Sequence, residues 1–97
     1  MTPELEKIIS TLKLKKEFLH EKYGVCEIAV FGSYTRNDFT ENSDVDIMVD
    51  FDRSIGWNIV RLADDLEKLL GKKVDLATKG GIREPYLPYI NKDLLYV

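Results

Sequence analysis

The chain has 97 residues, 44% hydrophobic and 32% charged, which suits one compact domain with a modest core spanning residues 1–97. Its net charge of −3 argues against a nucleic-acid binder, because that role needs a basic footprint to displace counterions from phosphates. The apolar runs are strand-sized, as in Ile28 to Phe31, and the opening Met1 to Glu4 has neither the basic nor the apolar region of a signal peptide, so a cytoplasmic protein without membrane contact is expected.

Taken in chain order, Thr2 and Pro3 fit an N-cap and first helical position. Leu5, Ile8, Ile9, Leu12, Leu19 and Tyr23 then recur at helical spacing until Gly24 provides a stop. His20, late in this helix, is read as a surface residue. Val25 to Phe31 is a β-branched and apolar run of strand length, and Cys26 within it, having no disulfide partner, is expected in the core. Gly32 and Ser33 follow at once, a turn off the strand tip leading into a short helix. From Asp44 to Phe51 the pattern alternates: Val45, Ile47, Val49 and Phe51 share one face, and Asp44, Asp46, Met48 and Asp50 the other. Ser54 is expected to cap a long helix whose buried stripe runs through Trp57, Val60, Leu62, Ala63, Leu66, Leu69 and Leu70 to a stop at Gly71. Lys73 to Ala77 reads as a third strand and Gly80 with Gly81 as a loop. Pro85 fits the first turn of a last helix, and Leu94 to Val97 is either a terminal strand or an apolar tail.

The chemistry concentrates at two strand ends. Carboxylates at i and i+2 on a strand project from the same face with backbones about 6 to 7 Å apart, so Asp44 and Asp46 can converge on divalent ions. Asp50, about 13 Å along the strand from Asp46, is too far to join them, and it and Asp52 are read as surface acids. Mg²⁺ favours carboxylate and phosphate oxygens, and a pair of such ions can activate an attacking oxygen and stabilise a leaving one. Gly32 permits close backbone approach, and Ser33 offers a hydroxyl and an N–H to the tail phosphates of a nucleotide. Asp75, between Val74 and Leu76 in the next strand, is the candidate third carboxylate, placed to take a proton from an acceptor hydroxyl. Arg36 reads either as a phosphate or partner contact or as a plain surface arginine, and Tyr86 and Tyr89 either pack internally or bind a partner.

Gly32-Ser33, ten residues and Asp44-x-Asp46 resemble the G-S-x10-D-x-D signature of polymerase-beta-like nucleotidyltransferases. The short chain is most similar to the minimal nucleotidyltransferases (MNT), and the resemblance runs from the leading helix through SDVDIMVDF and VDL to the closing IREPYLPYI. It implies an α/β fold with a small mixed β-sheet backed by helices, metal ligation by Asp44, Asp46 and Asp75, and triphosphate contact by Gly32 and Ser33. It also implies an antitoxin role beside a HEPN ribonuclease toxin. The expected activity is Mg²⁺-dependent transfer of AMP from ATP to a tyrosine hydroxyl of that toxin, which silences it. The contact surface is then expected along Tyr34 to Thr40 and Gly80 to Tyr89. A binding-only antitoxin and an enzyme adenylylating a small-molecule hydroxyl are the alternatives. Where family members commonly carry Arg-Gly after the Gly-Ser turn, this chain has Arg36-Asn37; Asn tolerates the left-handed conformation, so the turn is expected to survive.

Overall fold

The structure is a computed structural model that describes residues 1–81 and 90–97. The readings of Pro85, Tyr86 and Tyr89, and most of the Gly80 to Tyr89 segment, lie outside the described residues. No described helix is long and apolar enough to cross a membrane.

Helix α1 spans Pro3–Tyr23. The Thr2 hydroxyl accepts the Leu5 N–H at 3.2 Å, and the Gly24 N–H, at φ 76°, donates to the His20 carbonyl at 2.8 Å. Both ends therefore satisfy backbone groups that the helix leaves unpaired. All six residues of its apolar stripe are buried. They rest on a sheet that among the described residues has four strands in the order β3-β2-β1-β4, formed by β1 (Val25–Phe31), β2 (Val45–Phe51), β3 (Val74–Thr78) and β4 (Leu95–Tyr96). β1 runs antiparallel to both β2 and β4, whereas β2 and β3 are parallel. A parallel pair needs a crossover, which α3 (Asn58–Leu70) provides. The terminal residues Leu95 and Tyr96 thus form a strand, pairing with Val30 and Ala29.

The core lies between this sheet and helices α1 and α3. Val45, Ile47 and Val49 of β2 meet Leu12, Leu19, Leu62 and Leu66 there, each fully or almost fully buried. At about 1.5–3 kcal/mol per buried large apolar side chain, this single layer holds the sheet in place. Met48 points to the opposite face with Asp46, yet it too is buried, beside Ala29 across the strand pair.

Two expectations about burial fail, for local geometric reasons. Cys26 is exposed: the β1–β2 register shifts between Val25 and Glu27, and this bulge turns the intervening side chain out of the alternation. Trp57 is 90% exposed and Val60 64% exposed. Ser54 is not the cap. Gly56 adopts φ 53°, Asn58 bonds back to Ile55, and α3 begins only at Asn58 with Trp57 at its cap position and no side-chain cap bond. Once Leu62 and Leu66 face the core, Val60, two residues before Leu62, is rotated by about 200° and faces outward.

Candidate active site

The site forms where β1 ends and β2 and β3 begin. Phe31 pairs with Asp46 across β1 and β2, and Asp46 pairs with Asp75 across β2 and β3, so Asp75 is brought beside Asp46 from a distant part of the chain. Asp44 lies two residues before Asp46, on the same side of the strand.

Gly32 closes the site from the β1 side. It has φ 78° and ψ −146°, a conformation that residues with a Cβ avoid, and a Cβ built here would run into the Asp46 carboxylate at Oδ2. Glycine is required on both counts. Its carbonyl accepts the N–H groups of Thr35 and Arg36 and the Thr35 hydroxyl at 2.9 to 3.1 Å, which winds the short helix α2 (Ser33–Arg36) directly off the strand. Ser33 opens α2, and Asn37 ends it in the left-handed conformation at φ 64°, as expected for asparagine at this position. Tyr34 anchors the turn from below, 2% exposed and stacked on Phe39 with ring centroids 4.4 Å apart.

Electrostatically, Asp46 feels both of its acidic neighbours. Asp46 is raised to about 6, first because it is partly buried and then because Asp75 and Asp44 add negative charge beside it; the Arg36 guanidinium pulls in the opposite direction. Hard oxygen donors that repel one another, on a partly sheltered strand end, suit a divalent cation. Among the described residues, no three His, Cys, Asp or Glu side chains are grouped so as to hold a metal ion. Carboxylate oxygens are nonetheless the donor type that Mg²⁺ favours, an ion that keeps several waters and shares substrate phosphates.

Arg36 is held on the rim. Its Nη1 donates to Asp93 at 2.9 Å and its Nε to Asp38 at 3.2 Å, linking α2 to the C-terminal segment. These two carboxylates, Asp93 first, hold the guanidinium above its ordinary value. Asp50 stays out of the cluster, its carboxylate accepting the Phe51 N–H at 3.0 Å. His20 is at the surface as expected, 2.6 Å from Asp52. Two features of the rim escaped the sequence. Asp93 carries no local signal, because its partner is 57 residues away. Lys72 and Lys73, between the helix stop at Gly71 and β3, line a cavity that also contains Asp44. A lysine pair in a tight connection to the strand that carries Asp75 was the available signal.

The sequence and the fold are both similar to those of known proteins. The family described as nucleotidyltransferase domain matches residues 12–96. The protein adenylyltransferase MntA of Thermococcus cleftensis is 42% identical over 94 residues, covering 96% of this chain and 95% of its own. Two solved complexes share the fold. A toxin–antitoxin crystal structure with AMP-PNP aligns with a TM-score of 0.69 at 24% identity, over 98% of this chain and 72% of that one. The tri-AMPylated Shewanella oneidensis HEPN toxin in complex with MNT antitoxin aligns with a TM-score of 0.65 at 19% identity, over 96% and 70% of the two chains.

Proposed function

The chain belongs to the nucleotidyltransferase domain family, and on that premise we propose that it is an antitoxin that uses Mg²⁺ to transfer AMP from ATP to a tyrosine hydroxyl of a cognate HEPN ribonuclease toxin. The observation that carries the transfer reaction is the register that sets Asp75 beside Asp46 while Gly32 closes against the same carboxylate. A protein acceptor is supported by the MntA relative, whose name states protein adenylylation and which matches nearly the full length of both chains. The HEPN partner and the tyrosine extend that reading along the resemblance to MNT proteins, and a cytoplasmic setting goes with it.

In this account Asp44, Asp46 and Asp75 would hold two Mg²⁺ ions, which would supply Lewis-acid stabilisation of the phosphoryl oxygens. Ser33 and Arg36 orient the nucleotide tail, Ser33 through its hydroxyl and Arg36 through its charge. Asp75 accepts the proton of the tyrosine hydroxyl as its oxygen attacks the α-phosphorus. The bond from the α-phosphorus to the bridging oxygen then breaks, and pyrophosphate leaves. Gly32 keeps the backbone close to Asp46 and leaves no room for a side chain between them. A binding-only antitoxin would need neither the acidic cluster nor the glycine forced against it.

The test is transfer of label from α-labelled ATP to a co-purified HEPN partner, with Mg²⁺ and with a chelator. Label should enter the partner only with the metal. Transfer that persists in chelator would refute the metal assignment, and absence of label under every condition would refute the enzymatic reading.

A further inference from the structure

Beside the triad lies a cavity of about 500 Å³, lined by Tyr34, Ser43, Asp44, Lys72 and Lys73 together with Glu41, Asn42 and Gly71. Its size falls within the range of about 300–1,000 Å³ typical of small-molecule sites. It contains Asp44 but neither Asp46 nor Asp75, so it lies toward the start of β2, away from the base assigned to Asp75.

Both walls are fixed by backbone. The Val45 N–H donates to the Lys73 carbonyl at 2.9 Å, which sets Lys73 opposite Asp44. The facing loop is braced by Thr40: its N–H donates to the Ser43 hydroxyl at 2.8 Å, and its carbonyl accepts the Ser43 N–H at 3.1 Å. Lys72 Nζ lies 6.0 Å from the centroid of the Tyr34 ring, over the buried floor that continues from Ser33. Both lysine residues are exposed, and among the described residues neither forms an ion pair.

As it stands the lining is balanced, Lys72 and Lys73 against Glu41 and Asp44. An ion on Asp44 would leave the two lysines facing the Glu41 carboxylate alone, beside an otherwise acidic centre. We propose that Lys72 and Lys73 bind the β- and γ-phosphates of the nucleotide and hold the pyrophosphate as it leaves. The proposal rests on the nucleotidyl-transfer reading above and adds a place for the leaving group. In an in-line displacement the attacking and leaving oxygens lie on opposite sides of the α-phosphorus. Asp75 takes the proton on one side, and the cavity without Asp75 receives the other. As the bond to the bridging oxygen breaks, its electron pair goes to pyrophosphate, and two ammonium groups there stabilise charge that is larger in the transition state than in bound ATP.

The experiment compares the wild-type chain with the Lys72→Ala/Lys73→Ala double variant by calorimetry, using Mg²⁺ with ATP, AMP and inorganic pyrophosphate in turn. The double variant should bind ATP and pyrophosphate about tenfold or more weakly, the scale of one or two charge-assisted contacts, and AMP unchanged. Lys72→Arg/Lys73→Arg should restore most of the loss. Both side chains are exposed, so folding is retained. Equal weakening of ATP and AMP, or ATP binding equal to wild type, would overturn the assignment while leaving the transfer reading intact. A wild-type chain that binds no ATP with Mg²⁺ would overturn both.

Discussion

The two faces of β2 differ in what they contribute. Val45, Ile47 and Val49 are buried against α1 and α3, while Asp44 and Asp46, on the alternate positions, crowd three negative charges together with Asp75. One face stabilises the fold, and the acidic end of the other opposes it. A strand can carry both because adjacent side chains point to opposite sides, so a substitution on either face can be read almost independently of the other.

The sharpest way to sharpen this contrast is Asp46→Asn. Transfer should fall by a factor on the order of a hundred to a thousand, the usual loss when a main electrostatic element of a site is removed. Stability of the metal-free chain should hold or rise. The sign follows from the raised value of about 6 for Asp46. Well below the ordinary carboxylate value near 3.8, Asp46 is protonated both folded and unfolded and costs nothing. As pH rises from there through about 6, the unfolded chain loses this proton first, so the native chain loses stability across that window and no further above it. In chelator, melting curves of Asp46→Asn and wild type should therefore diverge from about pH 4 to pH 6, with the variant higher, and stay parallel above.

Ile47→Ala probes the other face. The side chain is fully buried, so the loss should be about 2–5 kcal/mol in chemical denaturation, with transfer per folded molecule unchanged. Loss of transfer without loss of stability would show that the two faces are not separable.

Gly32→Ala is the substitution expected to break the separation, because it joins a positive φ to a clash with the Asp46 carboxylate. Strain of about 1–3 kcal/mol should appear in denaturation, and transfer should fall because the carboxylate must move. Trp57→Ala should have the smallest effect. The residue is 90% exposed, so stability should stay within about 0.5 kcal/mol, and wild-type tryptophan fluorescence should have the red-shifted maximum of a solvated indole.

These regions also differed in how readily the sequence disclosed them. The stripe of α1 and the alternation of β2 were legible because each repeats one physical rule over many residues, and the Gly-Ser turn because a positive φ admits few residue types. The start of α3 was not. Trp57 and Val60 fit an apolar stripe, but Gly56 delays the helix, and the phase set by Leu62 and Leu66 turns Val60 outward. Cys26 misled for a related reason, since one bulge residue interrupts a period of two. In the site, Asp75 could be placed beside Asp46 because strand neighbours are few in a small sheet. The bond from Arg36 to Asp93 spans 57 residues with no intervening pattern, so only the folded chain discloses it.

The account turns on whether the acidic face of β2 performs protein adenylylation, and intact-mass measurement of a HEPN partner co-expressed with this chain tests that most directly. With the wild-type chain the partner should gain the mass of one or more AMP groups on tyrosine, and with Asp44→Asn it should gain none. A partner that is neutralised in a tight complex yet carries no added mass beside the wild-type chain would contradict the account.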